Sequence, residues 1–145
     1  MAATGLHERV ARLLRANGQR LTPTRRRIID VLDRAAGPLT IPEILARGSA
    51  LAQSSAYRNL TVLEDAGVVH RVITRDDFAR YELAEDLTEH HHHLVCSRCG
   101  RVEDLPATPA VEKSVAAAVH QAARRAGFET HHHRLDLVGI CSLCK

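Results

Sequence analysis

The chain is poor in aromatic residues and has no long apolar run. Its 145 residues include no Trp, two Tyr and two Phe, so the core must be built from Leu, Val, Ile and Ala. Because no 18-residue apolar run is present and no charged and then apolar segment opens the chain, we expect neither a membrane span nor a signal peptide. We therefore expect a cytoplasmic protein, and in a reducing cytosol paired cysteines are more often metal ligands than disulfides.

Charge is distributed unevenly along the chain, whose formal net charge is +3. Residues 1–84 carry 13 Lys and Arg against 9 Asp and Glu, whereas residues 85–145 carry 7 against 8. Residues 1–27 alone contain seven Arg and one Glu. A basic end of this kind favours a polyanionic partner, although runs of charge are more often solvated faces.

Apolar spacing in the first half predicts four short helices followed by two strands. Thr40 and Glu43 form the pattern of a capping box, and Gly67 ends the fourth helix. This order is typical of a winged helix-turn-helix. The predicted helices span 6–16, from Thr22 or Thr24 to Ala36, from Thr40 to Ala46, and from a cap at Ser54 or Ser55 to Ala66; the predicted strands span 68–73 and 79–83.

In a winged helix-turn-helix the fourth helix enters the major groove of DNA. We expect its early residues to reach base edges and phosphates, and further arginines to lie along the DNA backbone. Tyr57 could instead be a core aromatic, and Arg58 a solvated helix charge. The candidates are Ser54, Ser55, Tyr57, Arg58 and Asn59 on the helix, with Arg20, Arg25 and the wing residue Arg75 beside the backbone.

All four cysteines of the chain fall into two C-x-x-C pairs, Cys96 with Cys99 and Cys141 with Cys144. Zinc prefers tetrahedral thiolate ligation, and C-x-x-C lets one tight turn present two sulfurs to one ion. We predict a structural zinc held by all four cysteines. A thioredoxin-like redox motif and two unrelated pairs are the alternatives.

Four consecutive histidines, His90 to His93, lead into the first cysteine pair. In an extended segment successive side chains point to opposite faces, so His91 and His93 face one way and His90 and His92 the other. The run therefore favours two metal sites, and a polar strand edge with one site or none is the alternative. Downstream, the sequence predicts a hairpin of 93–95 with 101–105, a helix over 111–126 with His120 on its surface, and a strand over 130–138.

These motifs together resemble the ferric uptake regulator (Fur) family of bacterial metal-dependent repressors. The resemblance implies an α+β protein with a winged helix-turn-helix DNA-binding domain (1–84), a hinge (85–89) and a small α/β dimerisation domain (90–145) in a homodimer. The matching stretches are Leu21 to Arg25, Ser55 to Leu60, Leu63 to Val68, Tyr81 to Leu83, His90 to Cys99, Gly127-Phe128, His133 to Gly139 and the closing C-x-x-C.

The resemblance also implies three metal sites. Cys96, Cys99, Cys141 and Cys144 match the structural zinc site; His90, His92, Glu112 and His133 match a site in the dimerisation domain; and Glu82, His91, His93 and Asp104 match the regulatory site at the hinge. Leu39 stands where many iron- and peroxide-responsive members have histidine, while His70 matches a position that zinc- and nickel-responsive members use. This favours Zn²⁺ over Fe²⁺, Ni²⁺ or Mn²⁺ as the regulatory metal, with His70 as an additional ligand.

The expected function is a metal-responsive transcriptional repressor that binds an inverted-repeat operator in double-stranded DNA and controls metal-homeostasis genes. A sensor of another metal or of peroxide is the alternative within the family. A zinc hydrolase would need an open coordination position and a general base, yet Glu89 is the only acid next to the histidine run and no H-E-x-x-H motif exists. A metal buffer without DNA binding is disfavoured by the basic first 27 residues.

Overall fold

The computed structural model describes residues 2–74 and 76–145, with side chains from Gly5 onward. Four helices fill the first half of the chain and are followed by a β-hairpin that forms the wing. A second sheet and an interrupted helix make up the remainder. The elements of the first half are α1 (Ala2–Ala16), α2 (Pro23–Asp33), β1 (Leu39–Thr40), α3 (Ile41–Arg47), α4 (Gln53–Asp65), β2 (Val69–Ile73) and β3 (Ala79–Leu83).

Local sequence determines where two of these helices begin. Thr22 caps α2 by accepting a hydrogen bond from the Arg25 backbone N–H, with Pro23 in the first turn, and Thr40 with Glu43 forms the expected capping box at α3. The predicted cap of α4 at Ser54 or Ser55 is wrong. That helix begins at Gln53 after Ala52, which offers no side-chain cap, and so both serines lie inside its first turn.

The core of the first half is aliphatic, as the scarcity of aromatics requires. Its fully buried side chains come from all four helices and from the first strand of the wing, so the apolar stripes predicted for the helices meet in one cluster. Tyr81 is the aromatic residue in this cluster, at 5% exposure. The members with at most 1% exposure are Val10, Leu14, Ile28, Ile29, Ile44, Ala56, Leu60, Leu63, Val68 and Val69.

The wing belongs to a three-stranded antiparallel sheet of order β1-β3-β2. The two predicted wing strands are present, but the sequence did not reveal β1, which pairs Leu39 with Tyr81 and Thr40 with Arg80. A two-residue strand has no periodicity of its own to detect. Its pairing places Leu39 in the core at 5% exposure.

The second sheet has the order β5-β4-β6, with β4 at its centre. Its strands are β4 (His91–Cys96), β5 (Val102–Pro106) and β6 (Asp136–Gly139). β4 pairs antiparallel with β5 and parallel with β6. The predicted strand over 130–138 is therefore wrong in its first part, because the chain joins β4 only from Leu135, whose carbonyl accepts a hydrogen bond from the His93 backbone N–H.

The helix predicted over 111–126 is interrupted by a π-helical turn. It consists of α5 (Pro109–Val115), a turn with i→i+5 hydrogen bonding over Ala116–His120, and α6 (Gln121–Arg125). Thr108 caps its beginning by accepting from the Val111 backbone N–H. None of its residues is buried within this chain.

Three contacts join the two parts of the chain away from the histidine run. In the segment predicted as the hinge, Glu85–Leu87 forms a 3₁₀ turn, and the Leu87 carbonyl accepts a hydrogen bond from Arg9 at 3.2 Å. The Asp104 backbone N–H donates to the carbonyl of Ala36. None of the helices described in residues 2–74 and 76–145 is both long and apolar enough to cross a membrane.

The third contact joins the wing tip to the first cysteine turn. Arg80 is 6% exposed and forms an ion pair with Asp76 at 2.7 Å, which holds the pKa of that carboxyl well below its usual range. Gly100 lies against this pair with φ +73°, and a side chain there would collide with the Asp76 carboxylate. Glycine at this position thus serves both the left-handed turn and the close approach of the wing.

Candidate metal centres and nucleic-acid interface

The four cysteine sulfurs converge, as the sequence predicts. All four Sγ atoms lie within 4.8 Å of one another, and the Sγ atoms of Cys99 and Cys141 are 3.8 Å apart. Zinc–sulfur bonds of about 2.3 Å in a tetrahedron place neighbouring sulfurs roughly 3.8 Å apart. The four cysteines are free, and the spacing of their sulfurs fits a zinc ion.

The surroundings of the sulfurs point to the same ion. Hydrogen bonds from the backbone at Cys141 and Cys99 lower the pKa of the Cys96 thiol to about 6. The neighbouring sulfurs of Cys141 and Cys99 raise the pKa of Cys144 to about 12. Four thiols in such proximity cannot all ionise alone, and a divalent cation supplies the missing positive charge.

A second group of ligand atoms lies where the wing meets β4. We call it the hinge group, and it consists of Glu82, His91, His93 and Asp104. One carboxylate oxygen of Glu82 lies 3.1 Å from Nε2 of His91 and 2.9 Å from Nε2 of His93. Asp104 approaches the same nitrogens at 3.7 and 4.0 Å. Metal–ligand bonds of about 2.0–2.1 Å separate tetrahedral ligand atoms by roughly 3.3 Å, so a small cation fits between them.

Without a metal, the Glu82 carboxylate and the two histidines of this group stabilise one another's charged forms. Burial would raise the pKa of Glu82, but hydrogen bonds and charge from His93 and His91 outweigh it and lower that pKa. Burial would likewise lower the pKa values of His91 and His93, but hydrogen bonds and the charge of Glu82 raise both. The pKa of Asp104 is raised by burial and by the neighbouring Glu82. A metal binding here would therefore compete with protons for both histidines.

Asp136 is a contributor to the hinge group that sequence reasoning missed. Its carboxylate lies 3.1 Å from Nδ1 of His93, on the opposite side of the ring from Glu82. A carboxylate behind a ligating histidine fixes the ring orientation and raises its basicity. Asp136 could have been found only from the parallel pairing of β6 with β4, which puts it beside His93.

A third group, here called the helix-side group, consists of His90, His92, Glu112 and His133. Glu112 joins its members: one oxygen lies 2.6 Å from Nε2 of His92, and the other lies 3.0 Å from Nε2 of His133 and 3.3 Å from Nε2 of His90. The hydrogen bond with His92, followed by the charges of His133 and His90, lowers the pKa of Glu112. Three imidazoles and one carboxylate form a donor set that suits a divalent transition metal.

One buried atom in this group has no partner. His92 is 1% exposed, and its Nδ1 is the only buried side-chain nitrogen or oxygen in the described residues without a hydrogen-bond partner. Its Nε2, in contrast, faces Glu112. If Nε2 bound a cation, Nδ1 would carry the ring proton, for which the described residues offer no acceptor.

The histidine run is divided by strand alternation, with His91 and His93 in the hinge group and His90 and His92 in the helix-side group. Two other predicted positions stand apart. His70 is exposed and pairs across the wing with Glu82, but it lies outside the three groups of ligand atoms found in the described residues. Leu39 is buried and faces no ligand cluster.

On the DNA side, α4 exposes the residues that sequence reasoning selected first. Tyr57 is 52% exposed, which excludes the core role considered for it within this chain. Ser54 and Arg58 are exposed and Ser55 is half-buried. Arg75 lies outside the described residues.

Asn59 has a different position from the one predicted. Its Oδ1 accepts a hydrogen bond from Nε of Arg25 at 2.9 Å, and its Nδ2 donates to the Ser55 carbonyl at 2.8 Å. Arg25 also donates to the Arg20 carbonyl at 2.7 Å. Both halves of the Asn59 amide are thus engaged within the protein, where they orient Arg25. A direct contact of Asn59 with DNA stays a prediction.

A winged helix-turn-helix joined to a strand that carries groups of metal-ligand atoms defines a metal-responsive transcriptional regulator. The comparisons with known proteins agree. The chain belongs to the ferric uptake regulator family, whose model matches residues 16–138.

Individual relatives are regulators, not enzymes, which rules out the hydrolase alternative. The peroxide operon regulator of Bacillus subtilis is 29% identical over 150 residues, covering 99% of this chain and 96% of its own. The ferric uptake regulation protein of Legionella pneumophila is 30% identical over 137 residues, covering 91% and 96%. The structure of the Helicobacter pylori ferric uptake regulator, described as having three functional metal binding sites, matches with a TM-score of 0.75 at 25% identity, covering 98% of this chain and 93% of that one.

Proposed function

We propose that this protein is a repressor that binds operator DNA as a homodimer when a divalent metal, most favourably zinc, occupies the hinge group. The observation that carries the proposal is that the hinge ligands come from two different parts of the chain. Glu82 belongs to the wing strand β3, whereas His91 and His93 belong to β4. A metal that binds all three fixes the wing relative to the second sheet.

The mechanism is a shift between two arrangements of the chain. The DNA-binding part is residues 1–84, the hinge is 85–89, and the dimerisation part is 90–145. The metal binds the arrangement in which the hinge ligands converge more tightly than an open one, so it stabilises that arrangement by the difference in affinity. In a dimer this sets the distance between two α4 helices, and an inverted repeat has its half-sites at a matching distance.

A structural zinc on the four cysteines gives this switch a rigid base. Cys96 ends β4 and Cys141 follows β6, so one ion fastens the end of the chain to the strand that supplies the hinge histidines. The wing tip contacts the same cysteine turn through Gly100. Loss of this ion would loosen β4, and with it the hinge group.

Exposed apolar side chains support a homodimer. Seven large apolar residues after position 90 are exposed, and the interrupted helix buries none of its residues within this chain. Such a surface favours a covering partner, and a second copy is the simplest one. The residues are Leu94, Val119, Phe128, Leu137, Val138, Ile140 and Leu143.

On DNA, the proposal assigns base contacts to exposed residues of α4 and backbone contacts to the arginines beside it. Tyr57 and Arg58 reach the major groove, and Arg25, held by Asn59, meets a phosphate. Phosphate contacts release counterions, so binding must weaken steeply as salt concentration rises. Replacing Tyr57 should reduce discrimination between sequences, whereas replacing Arg25 should weaken binding to all sequences about equally.

Zinc is favoured because the hinge group offers four ligand atoms, two of them imidazole, and zinc accepts four-coordinate tetrahedral ligation. Leu39 supplies no further ligand. Fe²⁺ is the second candidate, since two histidines with carboxylates are also a donor set for non-haem iron, and relatives of this chain are named as iron and peroxide regulators.

The test is DNA retention measured under buffered free concentrations of Zn²⁺, Fe²⁺, Ni²⁺ and Mn²⁺ in turn. We expect sequence-specific binding to appear at the lowest free concentration with Zn²⁺. The double variant Glu82→Ala/His91→Ala should lose the metal dependence, while Glu103→Gln, on the exposed edge strand β5, should keep it. If the double variant bound operator equally well with and without metal, the assignment of the switch to the hinge group would be wrong.

A further inference from the structure

We infer that His120 is a positioning residue of the helix-side group, one that holds His133 in the tautomer whose Nε2 can bind a metal. This inference rests on the helix-side group binding a divalent cation, which its three imidazoles and one carboxylate suit. The sequence does not indicate this role, because the helical pattern predicts His120 on the surface of an amphipathic helix. In the structure it is half-buried, with its ring centroid 5.5 Å from that of His133.

The two nitrogens of His133 have separate surroundings. Nε2 faces Glu112 at 3.0 Å and His90 at 3.4 Å, which is the side where ligand atoms converge. Nδ1 faces Nε2 of His120 at 3.4 Å. His120 therefore lies behind the ligating ring, as Asp136 does behind His93 and as Glu85 does behind His90.

The π-helical turn explains how His120 reaches this place. His120 and Glu112 are eight positions apart, and in a continuous α-helix of about 3.6 residues per turn they would be rotated from each other by about 80°. The i→i+5 bonding over Ala116–His120 lowers the rotation per residue, so His120 moves towards the face that carries Glu112. A π turn of this kind is rare and occurs frequently at functional sites.

The chemistry follows from proton placement. A neutral imidazole has one N–H, and a metal on Nε2 of His133 requires that proton to be on Nδ1. Nε2 of His120 is the acceptor within reach of that N–H. An outer partner of this type orients the ring and raises its basicity, and removing one typically costs 10–100-fold in metal affinity.

The experiment uses the full chain with Glu82→Ala/His91→Ala, carrying zinc on its four cysteines only, so that added Co²⁺ is directed to the helix-side group. Co²⁺ affinity and its visible ligand-field spectrum are measured for His120→Ala, His120→Gln and His120→Leu. Glutamine places its amide oxygen as many bonds from Cα as the imidazole Nε2, whereas leucine has no acceptor. His131→Ala, at an exposed histidine outside the three groups, is the matched control.

We expect His120→Ala and His120→Leu to weaken Co²⁺ binding by about 10–100-fold, His120→Gln to recover most of it, and His131→Ala to have no effect. If alanine does not fold, the comparison of glutamine with leucine decides. Unchanged affinity and spectrum in both His120→Ala and His120→Leu would overturn the inference. X-ray absorption of the Co²⁺ complexes gives a second criterion. If the His120 variants lost one imidazole from the metal and His120→Gln did not recover the affinity, His120 would be a ligand, and the inference would be overturned. If the starting protein bound no Co²⁺ at this group, the proposed site itself would fail, and the inference with it.

Discussion

Replacing Glu82 by glutamine should destabilise the hinge-metal-free protein more at pH 6.0 than at pH 8.5. The side chain of Glu82 is 13% exposed and receives hydrogen bonds from His91 and His93. Glutamine preserves its shape but removes the Glu82 charge, which contributes to the raised pKa values of both histidines. The loss should therefore depend on whether those histidines are protonated.

The sign and size follow from the shifts. The pKa values of His91 and His93 are raised above 6.5 in the folded protein, so their contribution to stability is complete below pH 6.5 and is lost as pH rises through the raised values. Glu82, with a pKa lowered from 4.5, remains ionised throughout this range. Hydrogen bonds to charged groups contribute about 1.5–3 kcal/mol each, so with two of them lost the variant should be less stable by about 3–6 kcal/mol at pH 6.0. At pH 8.5 the loss should shrink to about 1 kcal/mol, because the glutamine amide can donate to a neutral imidazole.

The assay is urea unfolding at pH 6.0 and pH 8.5 of protein that carries only its structural zinc. Glu103→Gln is the matched control, because its carboxylate is 43% exposed and paired with Arg101 on the surface; such a pair contributes less than about 1 kcal/mol at either pH. An equal loss at both pH values in Glu82→Gln would refute the reasoning, since the histidines would then contribute nothing through their charge. With hinge metal added, the loss of stability should instead be larger at pH 8.5 than at pH 6.0, because protons compete with the metal for the histidines.

Three further outcomes are expected. Asn59→Ala should weaken binding to operator and to unrelated DNA by similar factors, because it frees Arg25; a selective loss on operator alone, in a gel-shift comparison, would instead assign base reading to Asn59. Cys141→Ser should release the structural zinc, measured by metal analysis after dialysis, and should lower hinge-metal affinity as well; retention of a full zinc equivalent would contradict the four-sulfur site. Ile44→Ala, at a side chain with 0% exposure, should cost about 2–5 kcal/mol in urea unfolding while leaving zinc content unchanged, and a cost below about 1 kcal/mol would mean that the cluster repacks.

Most of the features predicted correctly from the sequence depend on local rules. The capping box of Thr40 and Glu43 needs only its own residues, so α3 was predicted correctly. Alternation along an extended segment separates His91 and His93 from their neighbours without reference to any other part of the chain. The convergence of the cysteine pairs depends on distant segments, yet the chemistry of zinc limits how four thiols can be used.

Features that arise from packing and long-range pairing were missed. Leu39 pairs with Tyr81, and no residue pattern near Leu39 in the sequence predicts a strand. The predicted strand over 130–138 failed because His133 turns towards Glu112 before the chain reaches β4. The π turn before His120 is defined by backbone hydrogen bonds, and a run of three alanines carries no signal for it. The hydrogen bond between Asn59 and Arg25 was missed because it joins two helices.

The central position of β4 limits how this gene can change length. Side chains along a strand alternate with a period of two, so inserting or deleting one residue exchanges the faces of all residues on one side of the change. A single added codon between His90 and Cys96 would move histidines between the two groups or turn Cys96 away from its partners. Related genes are therefore expected to tolerate length variation at the loop after β5, where Ala107 precedes the interrupted helix, and to keep the spacing from His90 to Cys99 invariant.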